Sequence, residues 1–326
     1  MKSKSSNLVT SLGIRAAMLC VLASACEQPF SPKGSFKEEL VVYAILSNVA
    51  DVQYVRVYRT YDPPGFDPFG HLTDNQVTGA QVTMSEDQTV IAFRDTQIVR
   101  NDTIRYLAPI DAYVAAPFRA LKGKSYALEV QTLDGISTTA KIRLPDAGSI
   151  VVSNMSALVA PSASTLTTIA FAMYISPFAK GFILKFNLRF ESLEGGIWVA
   201  RQREVPLAIV LTAEGKEERY FPTLTRSPGG ETTYTLVSQQ FKIHAYQTII
   251  GEIYRDHGGS VRFTSAGFVL TQVEPALYNY YGIANGFRDP NTIRVDEPDF
   301  TNIAGGVGVF GGFVQDTLVV ALPAIL

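Results

Sequence analysis

Phe182-Ile183-Leu184-Lys185-Phe186-Asn187-Leu188-Arg189-Phe190 places Phe182, Leu184, Phe186, Leu188 and Phe190 at every second position, with Lys185, Asn187 and Arg189 between them. Successive side chains of a strand point to opposite faces, so this stretch reads as a strand with one buried and one wet face. A helix would scatter the same five apolar residues around its axis. A sheet lying on a core is therefore the element from which the rest of the chain is read.

Outward from it, the same signal recurs at Thr167 to Ile175, Ile197 to Arg203, Leu207 to Leu211, Tyr234 to Ile243, Val261 to Val269 and Thr317 to Leu322. Toward the N-terminus, Leu40 to Leu46 is a continuous apolar run. Val52 to Arg59 alternates, and further strands are expected at Ala80 to Met84, Thr89 to Arg94, Thr103 to Leu107 and Ser125 to Thr132. Short strands at this spacing predict a mainly β protein built on an Ig-like sandwich of two antiparallel sheets. Leu144-Pro145-Asp146 closes that first unit, because proline cannot continue a ladder. The expected organisation is an N-terminal β-sandwich domain at 38–147 and a larger β-rich domain at 148–326 with one or two short helices. One helix is expected over Glu274 to Phe287, where Leu277, Tyr281 and Ala284 share a face. Membrane barrels also alternate, but they expose an apolar band and usually end on an aromatic residue; this chain ends in Ile325-Leu326.

The first 25 residues follow a different logic. Lys2, Lys4 and Arg15 precede the apolar run Ala16 to Ala25, the layout of an export signal. The run is shorter than the roughly 20 residues a spanning helix needs. Leu22-Ala23-Ser24-Ala25-Cys26 resembles a bacterial lipobox. That resemblance implies cleavage before Cys26 and acylation of its sulfur and new amino group, palmitate among the chains added. The competing reading is an ordinary secretory signal cut nearby, since Ala23 and Ala25 also fit a small-x-small cleavage site. Cys20 leaves with the signal, so no disulfide is possible inside the mature chain. Residues 26–37, with Pro29, Pro32 and Gly34, read as a tether.

Loss of the signal removes three of the 28 basic residues and none of the 30 acidic ones, leaving a charge of −5 with Lys and Arg scattered singly. A nucleic-acid partner would need a clustered basic face.

Chemical motifs are sparse. Gly306-Val307-Gly308-Val309-Phe310-Gly311 has the spacing of a dinucleotide fingerprint but lacks the surrounding βαβ unit, so its glycines read as a tight bend or bulge between strands. Gly123-Lys124-Ser125 reads as a turn with a solvated lysine. His71, His244 and His257 show no metal-ligand spacing. Asp256-His257 reads as a turn, and no Gly-x-Ser-x-Gly elbow exists. The acidic stretches Tyr61 to Phe69 and Asp289 to Asp299 hold either calcium-type oxygen ligands or simply solvent. Phe66 and Phe69 in the first are the expected partner contacts. No catalytic, cofactor-binding or metal residue is assigned.

Taken together, the lipobox, Leu40 to Asn48, Val55-Arg56-Val57, Gly79 to Val82, Gly123 to Val130 and the ending Phe300 to Gly312 resemble the Bacteroidota lipoproteins called domain of unknown function 4249. The resemblance implies an outer-membrane lipoprotein, commonly encoded beside a TonB-dependent receptor, and so a non-enzymatic accessory to nutrient uptake on the periplasmic or the surface side. An extracellular glycan or peptide hydrolase and a structural or adhesive surface protein are the alternatives that the residues leave open.

Overall fold

The computed structural model describes residues 35–62, 75–99, 109–229, 232–258, 260–286 and 300–325. Cys26, Phe66, Phe69, His71, the strand expected at Thr103 to Leu107 and the acidic stretch from Asp289 lie outside the described residues.

The chain is mainly β, as the alternation predicts. In order the strands are β1 (Leu40–Ser47), β2 (Gln53–Arg59), β3 (Gln81–Glu86), β4 (Thr89–Ile98), β5 (Ile110–Ala115), β6 (Ser125–Gln131), β7 (Ser137–Arg143) and β8 (Ser149–Val152). Then follow β9 (Thr168–Ile175), β10 (Gly181–Glu194), β11 (Ile197–Val205), β12 (Ala208–Leu211), β13 (Glu217–Tyr220), β14 (Thr225–Arg226), β15 (Thr235–Lys242), β16 (Val261–Val273) and β17 (Gly306–Ala321). The helices are α1 (Met155–Val159), α2 (Ile243–Asp256) and α3 (Pro275–Gly286).

One large sheet runs β11-β10-β16-β17-β1-β2-β5-β4-β3-β6-β7. Its last strand turns back on the chain: Thr139 in β7 and Ala304, two residues before β17, exchange N–H to C=O bonds of 3.1 and 2.7 Å. A second sheet, β15-β9-β8, packs over β10 and β16. The expected all-antiparallel pairing needs one correction. β1 and β17 run parallel, Leu40 beside Gly306 through Ser47 beside Phe313, because β17 returns from the far end of the chain rather than through a hairpin.

Residues 39–326 form one compact unit with two apolar clusters. One gathers Leu40, Val42, Leu46, Val55, Tyr126, Leu128 and Leu144, and takes Ala276, Ile303, Phe310 and Val314 from the C-terminal part. The other is aromatic: Phe186 lies 4.7 Å from Phe268 and 5.5 Å from Phe241, and Phe171 lies 4.6 Å from Phe268. Buried Gln272 joins the strands around them, accepting from Ser176 N–H at 2.7 Å and donating to the Asp146 carbonyl at 3.2 Å.

Two asparagines finish the β17 ladder with side chains instead of backbone. Asn302 donates to the Phe310 carbonyl at 2.6 Å and accepts from its N–H at 2.9 Å. Asn48 does the same for Gln315, at 3.0 and 2.7 Å. Asn302→Ala removes both bonds of its pair and is expected to cost about 2 kcal/mol in urea denaturation; a cost near zero would mean that water replaces the amide without loss.

Candidate functional site

The clearest surface feature grows from the hairpin that begins with the Phe182 to Phe190 alternation. Gly195 (φ 57°) and Gly196 (φ 86°) have the left-handed backbone of a two-residue primed turn, which requires glycine-like residues and matches strand twist. The turn sets Glu194 opposite Ile197, and pairing continues to Phe186 opposite Val205. Leu193 N–H donates toward β16, to the Ser260 carbonyl at 3.0 Å. By alternation the backbone groups of Ser192 and Glu194 face β11, and on β11 those of Trp198, Ala200 and Gln202 point outward from the sheet. Among the described residues no strand pairs with that side of β11.

Side chains around this edge are mostly committed. Arg262 lies over the half-exposed Trp198 ring, 4.4 Å from its centroid, and pairs with Glu191. Arg201 donates to Glu194 at 2.6 and 2.8 Å. The Ser192 hydroxyl, and then Arg201, hold the Glu194 carboxyl below its ordinary range. Arg203 donates twice to Asp256 on α2, each at 2.9 Å. Arg189 differs. Its guanidinium lies across Gly267, where an added Cβ would come within 3.3 Å of it, and no carboxylate among the described residues pairs with it. Arg189, Glu191, Ala200, Gln202 and Thr264 line a groove of about 310 Å³ beside the edge.

A second groove, of about 440 Å³, lies at the start of α2 between Leu166, Ile209, Val210, Lys242, Ile243 and His244. Its floor is apolar and its rim carries Lys242.

The residues singled out for their chemistry lie apart. His244 is in the first turn of α2 and His257 caps its end, about 20 Å away at the helical rise, so the two do not share a ligand. Asp256 is bound to Arg203, and the His257 ring lies 5.6 Å from Phe190; the pair does not orient a base. Among the described residues no three His, Cys, Asp or Glu side chains converge as a metal site. The Lys124 side chain is solvent-exposed, as expected of the turn, and pairs there with the exposed Asp87 at 2.9 Å.

Glu274 is the group that a search for motifs does not find. It follows β16 directly and caps α3, accepting from Ala276 N–H at 2.7 Å and Leu277 N–H at 2.6 Å, with Pro275 at the first helical position. Gly312 N–H of β17 adds a bond of 3.3 Å. Burial pushes its carboxyl up to about 7 against those three donors. The signal in the sequence is Glu-Pro immediately before an apolar helical period.

Fold and surface together define a β-sandwich protein with an open hairpin edge. Residues 27–187 match the model of the family described as Domain of unknown function (DUF4249). The match meets the expected resemblance over that segment and stops short of the Phe300 to Gly312 ending. No curated protein matches the chain. Among solved structures, the C-terminal globular domain of an oligosaccharyltransferase from Pyrococcus abyssi is similar at 7% identity and a TM-score of 0.23, over 72% of this chain and 48% of that one. A chitinase from Bacillus thuringiensis is similar at 10% identity and a TM-score of 0.16, over 65% of this chain and 28% of that one. The chain thus spans about half the length of the first and under a third of the second.

Proposed function

We propose that this is a lipid-anchored, non-enzymatic docking or binding protein of the Bacteroidota outer membrane, acylated at Cys26 and working beside a TonB-dependent nutrient transporter. The observation that supports this most is the direction of the strands. β16 is antiparallel to both β10 and β17, and β17 is parallel to β1, so β10 runs in the same direction as β1. The Gly195-Gly196 tip therefore lies at the end of the sheet opposite Leu40, where the chain enters its first strand. That end of the sheet is clear of the point at which the chain enters β1. The lipid keeps the protein near its partner and raises the effective concentration of a weak contact. Phe66 and Phe69 remain part of the proposed contact surface.

The test is made in the native host with a C-terminal tag. Wild type is expected to incorporate labelled palmitate, fractionate with the outer membrane and recover a TonB-dependent receptor from mild detergent. Cys26→Ala is expected to lose label and membrane together. An unlabelled wild type, or a membrane-bound alanine variant, would defeat the anchor. Labelled protein recovered without a receptor would defeat the transporter partnership.

A further inference from the structure

We infer that the outer edge of β11 binds an extended segment of another chain, added as a further strand, with an acidic side chain of that segment placed opposite Ala200 and reaching Arg189. The inference names the contact surface within the docking reading above and rests on it.

The edge itself specifies the kind of partner. Outward N–H and C=O groups at Trp198, Ala200 and Gln202 form a row that only another extended backbone matches. Sheets usually block such rows with proline, lysine, a bulge or a covering element. Ile197–Val205 contains no proline or lysine, its charged residues Arg201, Arg203 and Glu204 are each paired within the chain, and its pairing with β10 is unbroken. At the other end of the same sheet, β7 is closed by the Thr139–Ala304 bridge.

Charge specifies the side chain. Glu191 is taken by Arg262, Glu194 by Arg201, and Glu204 by Lys185 at 3.5 Å. Arg189 is the cation of this groove left without a carboxylate among the described residues. A strand added to β11 lies about 10 Å from β10, two strand spacings away. Directly across Ala200 stands Glu191, already paired with Arg262, while Arg189 stands opposite Gln202. Ala200 is small enough for a glutamate to cross above it on the diagonal and meet Arg189 as the arginine swings off Gly267 into the groove. Trp198, two residues along on the same face, offers an apolar neighbour for the adjacent outward side chain of the segment.

Trp198 is the chain's one tryptophan, so its emission reads this edge directly. The full mature chain in mild detergent is titrated with acetylated nine-residue peptides of alternating Thr and Val whose central residue is Glu, Gln or Lys. The expected result is a saturable change in Trp198 emission that is tightest with Glu and about fivefold weaker with Lys, the swing between an attractive and a repulsive partly exposed pair. Arg189→Gln, which leaves the backbone intact, is expected to erase the Glu-over-Lys preference. Ala200→Pro removes an outward N–H without touching the β10 ladder and is expected to abolish the response while circular dichroism stays unchanged.

No response to any peptide, or equal affinity for the Glu and Lys peptides in wild type, would overturn the inference. So would emission that changes with protein concentration alone, which would mark the edge as a contact between two copies. None of these readouts depends on acylation, so a failed anchor and a failed edge are distinguished.

Discussion

Gly308→Ala is expected to remove about 4 kcal/mol of stability, a large part of the roughly 5–15 kcal/mol that holds a typical domain together. Gly308 has φ +115°, and an added Cβ would meet the Val42 carbonyl oxygen at 2.2 Å and its backbone carbon and nitrogen at 3.0 Å. Those atoms belong to β1, which is locked to β17 in register at this residue and cannot move aside as a side chain would. Backbone strain of about 1–3 kcal/mol and an overpacking term of similar size add at one site. Gly135→Ala separates the two. Gly135 also has positive φ (+86°), but nothing lies within 4 Å of its added Cβ, so strain alone should cost about 1 kcal/mol. Urea unfolding of both variants measures the difference, with the midpoint moving and the slope unchanged. Equal costs at the two positions would show that close packing against β1 is not what Gly308 serves.

That packing accounts for a motif whose pattern is readable in the sequence and whose purpose is not. Spacing alone makes the run Gly306 to Gly311 a bend or bulge between strands. It forms instead the start of one 16-residue strand, and its glycines serve close approach. Gly311 has the Leu277 Cβ 2.8 Å from where its own would stand, and Gly312 has a Leu144 methyl at 2.3 Å. Period two locates β2, β6 and β9 almost to the residue and the core of β10, because each has one buried face and local sequence records that directly; β1 is found by its continuous apolar run. Period two does not pick out β5, β7 or β8. Nor does local pattern reveal α2. Ile243, Tyr246, Ile249, Ile250 and Ile253 are buried at helical spacing, but four isoleucines favour strands locally, and Lys242 offers no capping side chain. The predicted α3 stands at Pro275–Gly286, yet Tyr281, placed on its apolar face, is exposed. The groove at Arg189 is beyond the reach of any local reading. It depends on the register of β11, β10 and β16 at once, although Gly195-Gly196 between two strand-like runs does mark the hairpin.

Glu274 makes stability depend on pH in a direction opposite to that of most carboxylates. Burial raises its pKa from the ordinary 4.5 to about 7 in the folded chain, so between those values the folded state keeps a proton that the unfolded state has released. Stability then falls as pH rises, by about 3 kcal/mol over the whole window. The contribution is fully present below about 4.5 and is gone above about 7. Asp134 and Glu194 act the other way: Thr132 and then Arg59 hold the first low, Ser192 and then Arg201 the second. Their contribution is lost only as pH falls below the ordinary carboxylate range, outside the window that belongs to Glu274. Glu274→Gln keeps the size of the cap and removes the titration, so subtracting its pH profile from that of wild type isolates the effect. The difference is expected to favour wild type at pH 5 relative to pH 7.5, and parallel profiles would place the carboxyl at an ordinary pKa. Glu274→Ala tests the cap itself. It strips acceptors from Ala276, Leu277 and Gly312 N–H groups in a buried site, where each orphaned donor costs about 1–3 kcal/mol. Because one of those donors is on β17 and two are on α3, the loss should loosen the helix from the strand. Faster amide exchange in α3 than in β10 would report that loosening, while uniform exchange across both would confine Glu274 to global stability.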